Sequence, residues 1–163
     1  MLPSRVAALQ TMPIFGGVRD EVLAGFVDGA ATVSVAAGGF FFREGDKADS
    51  MYVLETGKVA LIKDWAGAPQ LLAELGAGDC FGEMALLDLF PRSASVQALQ
   101  PCVAIELTTR SLYQLYQTHV DQFALIQMNI ARELSRRLRC ADEQLFRARV
   151  GAHDAAQAWA YAS

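Results

Sequence analysis

Glu83, Arg92 and Ser93 are of types and at spacings that suit an anion joined to a sugar. They lie in two short runs, Phe81-Gly82-Glu83-Met84-Ala85-Leu86-Leu87 and Pro91-Arg92-Ser93-Ala94-Ser95-Val96. Gly82 opens a short apolar helix. The first N–H groups of a helix lack intrahelical partners and sit at the positive end of its dipole, where an anion is welcome. Arg92, nine residues beyond Glu83, offers a planar fork of donors to two phosphate oxygens. An ionised Glu83 only accepts, so its partners are donors such as sugar hydroxyls. One ligand carrying a phosphate beside a sugar satisfies both.

Those runs need a frame. From Thr32 to about Thr108 the chain consists of short stretches rich in Val, Phe, Tyr and Ile, separated by Gly38-Gly39, Gly45-Asp46, Gly57, Gly67 and Gly76-Ala77-Gly78-Asp79. Turn signals at such intervals predict an antiparallel β-roll. Its strands are expected near 32–36, 39–43, 51–55, 58–63, 70–75, 94–99 and 102–107, seven or eight in all. Residues 3–27 read as short packing helices, broken by Pro13 and Gly16-Gly17. After Thr109 the period becomes helical, and a long helix is predicted over about 120–149, free of Pro and Gly.

Along that helix Ala131, Leu134, Leu138, Ala141, Leu145 and Ala148 recur at spacings of three and four residues. This is the pattern of a left-handed two-helix seam, so self-association is expected there. Residues 1–150 are read as one domain and 151–163, Ala-rich, as a flexible tail.

Composition narrows the chemistry. In 163 residues with 53% hydrophobic content the chain can bury a core. No apolar run reaches the roughly 18 residues that span a bilayer, and no signal peptide is evident, so a cytoplasmic protein without membrane contact is expected. Cys80, Cys102 and Cys140 form no CxxC, which argues against a disulfide framework or a zinc site and for reduced thiols. A net charge of −4 fits poorly with gripping DNA, and the arginines at 132, 136, 137 and 139 read as a solvated helix flank. With only His119 and His153, neither on a predicted strand, the histidines that a metal-dependent enzyme on a β-roll needs are missing.

The two runs, with Phe42-Arg43-Glu44-Gly45-Asp46, Met51-Tyr52-Val53-Leu54 and Gly57-Lys58-Val59, resemble the cyclic nucleotide-binding domain family. That family is shared by bacterial catabolite activators, protein kinase A regulatory subunits and some channels, and the resemblance covers about residues 14–146. Its most specific part matches the family's phosphate-binding cassette in the order and spacing of Gly, Glu, Arg and Ala. The resemblance implies a mainly β fold, an antiparallel β-roll with short N-terminal helices and a long C-terminal helix.

It further implies that Glu83 accepts from the ribose 2′-hydroxyl and Arg92 holds the cyclic phosphate. Phe81, Gly82, Met84, Ala85, Ser93 and Ala94 would complete the pocket. In activator-like relatives the long helix contacts the base through a hydroxyl-bearing pair; here Ala141 and Asp142 stand in its place, and Arg139 or Asp142 is the expected substitute. The expected ligand is cAMP in preference to cGMP, and no cofactor is implied. The expected function is a non-enzymatic sensor that signals through its helix, as a homodimer or to an unidentified protein effector. A member that keeps the fold for protein interaction or redox sensing, without a nucleotide, is the alternative. The family's transcription factors carry a winged helix-turn-helix after the long helix; only residues 150–163 follow here, so DNA binding is not expected.

Overall fold

A computed structural model describes residues 5–162. Contacts divide the chain into two units, Met1–Asn129 and Ile130–Ser163.

In the first unit the described chain begins with α1 (Arg5–Gln10), a 3₁₀ turn (Pro13–Phe15) and α2 (Asp20–Gly29). Eight strands follow: β1 (Ala31–Val35), β2 (Phe40–Phe42), β3 (Ser50–Thr56), β4 (Lys58–Trp65), β5 (Ala68–Gly76), β6 (Cys80–Phe81), β7 (Ser95–Ala98) and β8 (Cys102–Thr108). The helix α3 (Glu83–Asp88) interrupts them between β6 and β7, and α4 (Thr109–Thr118) and α5 (Val120–Ala162) come after. The strands form two antiparallel four-stranded sheets, ordered β1-β8-β3-β6 and β2-β7-β4-β5. This is the expected β-roll with helices at both ends.

Between the sheets lies a core of Tyr52, Leu54, Val59, Phe81, Val96, Ala98, Cys102 and Ala104. Strand β3 is buried along Ser50–Leu54, so both its faces are covered. Tyr52 and Leu54 point to the interior core, and the alternating Met51 and Val53 point to the opposite side. Gly57 makes the β3–β4 turn possible. It sits at φ 97°, and a Cβ there would fall 2.6 Å from both the Pro101 carbonyl and Cys102 Sγ.

The start of α5 is fixed to the N-terminal segment by polar contacts. Asn129 donates through Nδ2 to the carbonyls of Ile14 and Gly16, each at 3.0 Å. The Arg19 amide donates to Gln122 Oε1 at 2.8 Å, and the Arg19 guanidinium pairs with Asp121 at 2.9 Å.

Two elements differ from the sequence reading. Strand β6 is two residues long, too short for any periodicity to mark it, and it exists because Tyr52 and Val53 of β3 pair with it. The helix expected to end near Arg149 instead continues to Ala162. A single Gly151 costs about 1 kcal/mol in a helix, which the alanines around it tolerate. From Ala131 onward the described residues of α5 are mostly exposed, and Arg136 and Arg137 pair with Glu133 and Arg147 with Glu143. That is the solvated flank read from the sequence.

Candidate functional site

The cassette begins where β6 ends. Gly82 caps α3 in the left-handed conformation, φ 80° and ψ 4°. A Cβ at this position would lie 2.6 Å from Arg92 Nη1 and 3.2 Å from the Phe42 ring, so both the dihedral and the space require glycine. Glu83, the first helical residue, is only 4% exposed, and Ala85 is equally buried, whereas Met84 faces solvent. With six residues α3 has a small dipole, and the site's positive charge comes chiefly from Arg92.

The Arg92 backbone is held from both sides by the turn after β2. Its N–H donates to the Asp46 carbonyl and its carbonyl accepts from the Gly45 N–H, each at 2.9 Å. The turn is closed on itself by the Arg43 N–H donating to Asp46 Oδ2 at 2.9 Å. Beside it, the Glu44 N–H donates to Ser95 Oγ at 2.9 Å.

Arg92 turns inward and is 5% exposed, its guanidinium lying among aromatic rings. It stacks on Phe42, with Cζ 3.9 Å from the ring centroid, and lies 5.9 Å from that of Tyr52. Those rings belong to a cluster in which Tyr52 stacks on Phe81 at 5.5 Å and Phe41 meets Phe81 edge-on at 5.0 Å. Nη1 donates to the Gly82 carbonyl at 3.0 Å and Nη2 reaches Ser50 Oγ at 3.4 Å, while the buried Nε–H has no acceptor. Arg92 forms no ion pair among the described residues. Burial pulls its pKa below the ordinary arginine value, opposed by the charges of Tyr52, Asp49, Glu106 and Asp46. A buried charge with no close counter-charge costs several kcal/mol, and an anion is the partner that removes that cost.

The structure therefore brings eight of the ten expected residues into one stretch, Phe81 to Ala85 with Arg92 to Ala94. They are joined by the Arg92–Gly82 bond and a long Ser93 Oγ–Met84 Sδ contact of 3.9 Å. Ser93 is exposed, and its carbonyl accepts from Lys63 Nζ at 2.8 Å. Arg139 and Asp142 stand on α5 in the second unit, both exposed. Phe42, Ser50 and Tyr52 were not expected in the site. The one sequence signal for them is Phe40-Phe41-Phe42 directly before the Arg43–Asp46 turn, an aromatic run without alternation whose residues cannot all serve one face.

Among the described residues no group of three His, Cys, Asp or Glu could hold a metal ion. No described helix is long and apolar enough to cross a membrane. Cys80 and Cys102 are buried and Cys140 is exposed, none of them in a disulfide.

The family model described as the cyclic nucleotide-binding domain matches residues 32–119. The chain belongs to the cyclic nucleotide-binding domain family. Members similar to it include a cyclic AMP receptor protein of Thermus thermophilus, 37% identical over 105 residues, 64% of this chain and 47% of the relative. A cAMP-dependent protein kinase regulatory subunit of Emericella nidulans is 35% identical over 92 residues, 56% of this chain and 22% of the relative. The crystal structure of a cyclic nucleotide-binding domain from Methylobacillus flagellatus superposes with a TM-score of 0.74 at 27% identity, covering 82% of this chain and 76% of that one. The chain spans about half or less of the length of the first two relatives. These relatives are regulatory or binding proteins by name, and the family gives this chain a cyclic nucleotide-binding domain.

Proposed function

We propose that this chain is a sensor that binds cAMP in the Gly82–Arg92 cassette and transmits occupancy through α5, along which two copies associate. The observation that carries the reading is the buried Arg92 guanidinium, whose Nε–H lacks an acceptor beside a glycine that only a bare backbone can occupy. A cyclic phosphate supplies the missing acceptor and the missing negative charge. Glu83 accepts from the ribose 2′-hydroxyl, and the N–H groups of Gly82, Ala85 and Ala94 with the Ser93 hydroxyl complete the phosphate shell. The two relatives' names, a cyclic AMP receptor and a cAMP-dependent kinase subunit, favour cAMP.

Self-association is supported by the seam on α5. Leu138 and Leu145 are 62% and 52% exposed in the single chain, and Ala131, Ala141 and Ala148 of the same seam are exposed as well. The chain acts by binding rather than catalysis, and cysteines held in no disulfide suit a cytoplasmic setting. A protein effector receives the signal.

The test is calorimetric titration of cAMP and cGMP into the wild type and Arg92→Ala, with light scattering to give the mass. Saturable cAMP binding tighter than cGMP, lost in Arg92→Ala, is expected. A dimer that Leu138→Asp with Leu145→Asp converts to a monomer is expected as well. Undiminished binding by Arg92→Ala overturns the pocket, a cGMP preference overturns the ligand, and no binding to wild type favours the nucleotide-free alternative.

A further inference from the structure

Phe42 does two things for Arg92. Its ring lies under the guanidinium at 3.9 Å, and it is the residue directly before the turn whose Gly45 N–H and Asp46 carbonyl bond the Arg92 backbone. One segment of β2 and its turn thus grips the arginine at both ends of its side chain. Ser50 adds only a long contact of 3.4 Å, and no ion pair holds the head group among the described residues. Of the side chains around the guanidinium, the Phe42 ring makes the closest face contact. An aromatic face attracts a desolvated cation, and a flat ring restricts the plane of the fork while leaving its N–H edges free for acceptors.

We infer that Phe42 is a positioning residue for ligand binding, fixing the plane of the Arg92 guanidinium so that its fork is preset for the phosphate. The inference rests on the reading that Arg92 binds the phosphate of a cyclic nucleotide. It goes further by placing specificity for the anion in a strand that does not itself touch the ligand. Because the phosphate is common to both nucleotides, Phe42 sets the affinity for cAMP and cGMP alike and does not choose between them.

The experiment compares wild type with Phe42→Leu and Phe42→Tyr, using cAMP and cGMP as probes. NMR of the arginine Nε–H groups is recorded first without nucleotide. A wild-type Arg92 Nε–H shifted upfield by the ring, kept in Phe42→Tyr and lost in Phe42→Leu, is expected. Calorimetry should then show Phe42→Leu weakened roughly five- to thirty-fold for both nucleotides in the same ratio. Phe42→Tyr should stay within about two-fold of wild type. Should Phe42→Leu fail to fold, Phe42→Met replaces it at similar volume.

An Arg92 Nε–H that coincides with those of exposed arginines overturns the inference. So does Phe42→Leu binding within about two-fold of wild type, or a change in the cAMP-to-cGMP ratio. If wild type binds neither nucleotide, the functional reading fails, and the resonance alone then decides whether Phe42 positions Arg92.

Discussion

Replacing Arg92 by methionine separates a residue kept for a ligand from one kept for the fold. The substitution keeps an unbranched side chain and removes the charge. Two losses follow: the stacking on Phe42, worth about 1–2 kcal/mol when desolvated, and the bond to the Gly82 carbonyl, whose orphaning costs about 1–3 kcal/mol. Against them stands the removal of a buried cation without close counter-charge, a relief of several kcal/mol. The opposing terms are of similar size, so stability should change by no more than about 2 kcal/mol in either direction, a melting shift within about 8 °C.

Affinity behaves differently. Two charge-assisted bonds to a phosphate, at about 1.5–3 kcal/mol each, correspond to a loss of more than about 100-fold in cAMP binding. The assay pairs thermal melting without nucleotide with calorimetry of cAMP. A variant that melts far lower yet binds cAMP as tightly as wild type would refute the reasoning, because the guanidinium would then be a structural cation.

Three further outcomes are expected. Gly82→Ala should lower stability by at least about 1 kcal/mol and weaken cAMP binding, because a Cβ meets Arg92 Nη1 at 2.6 Å and φ is +80°; thermal melting and calorimetry read both. Asn129→Ala should cost about 1–3 kcal/mol by orphaning the carbonyls of Ile14 and Gly16, seen as a lower urea midpoint with cAMP affinity retained. Burial raises the Tyr52 phenol above its ordinary value, which is about 10. Its contribution to stability is therefore complete below that pH and is lost as pH rises through the raised value; urea midpoints across alkaline pH should fall less steeply for Tyr52→Phe.

The β-roll could be read from the sequence because its strands are separated by glycines whose job is local. Gly38, Gly45, Gly57, Gly67 and Gly78 all have positive φ, and each marks a turn without any knowledge of what packs above it. The cassette was legible for the same reason, its Gly, Glu and Arg lying within eleven consecutive residues. The burial of Arg92 was not legible. It depends on Phe42, Ser50 and Tyr52 arriving from β2 and β3, roughly 40–50 residues away, and no local pattern announces an arginine turned inward against the usual preference for water. The end of α5 was misjudged because Gly151 resembles a stop signal, whereas the alanines beyond it favour continuation.

The sheet order has a consequence for motion. Strand β8 lies between β1 and β3, and its amides open only when the sheet does. Strand β6, by contrast, is an outer strand of that sheet, two residues long and paired to β3 alone. The cassette follows directly from it, so the site hangs from the least anchored strand of the roll. Segments with so few backbone bonds open locally at free energies well below global unfolding. Amide hydrogens from Cys80 to Ala85 should exchange with solvent long before those of β8, and a bound nucleotide should close that gap.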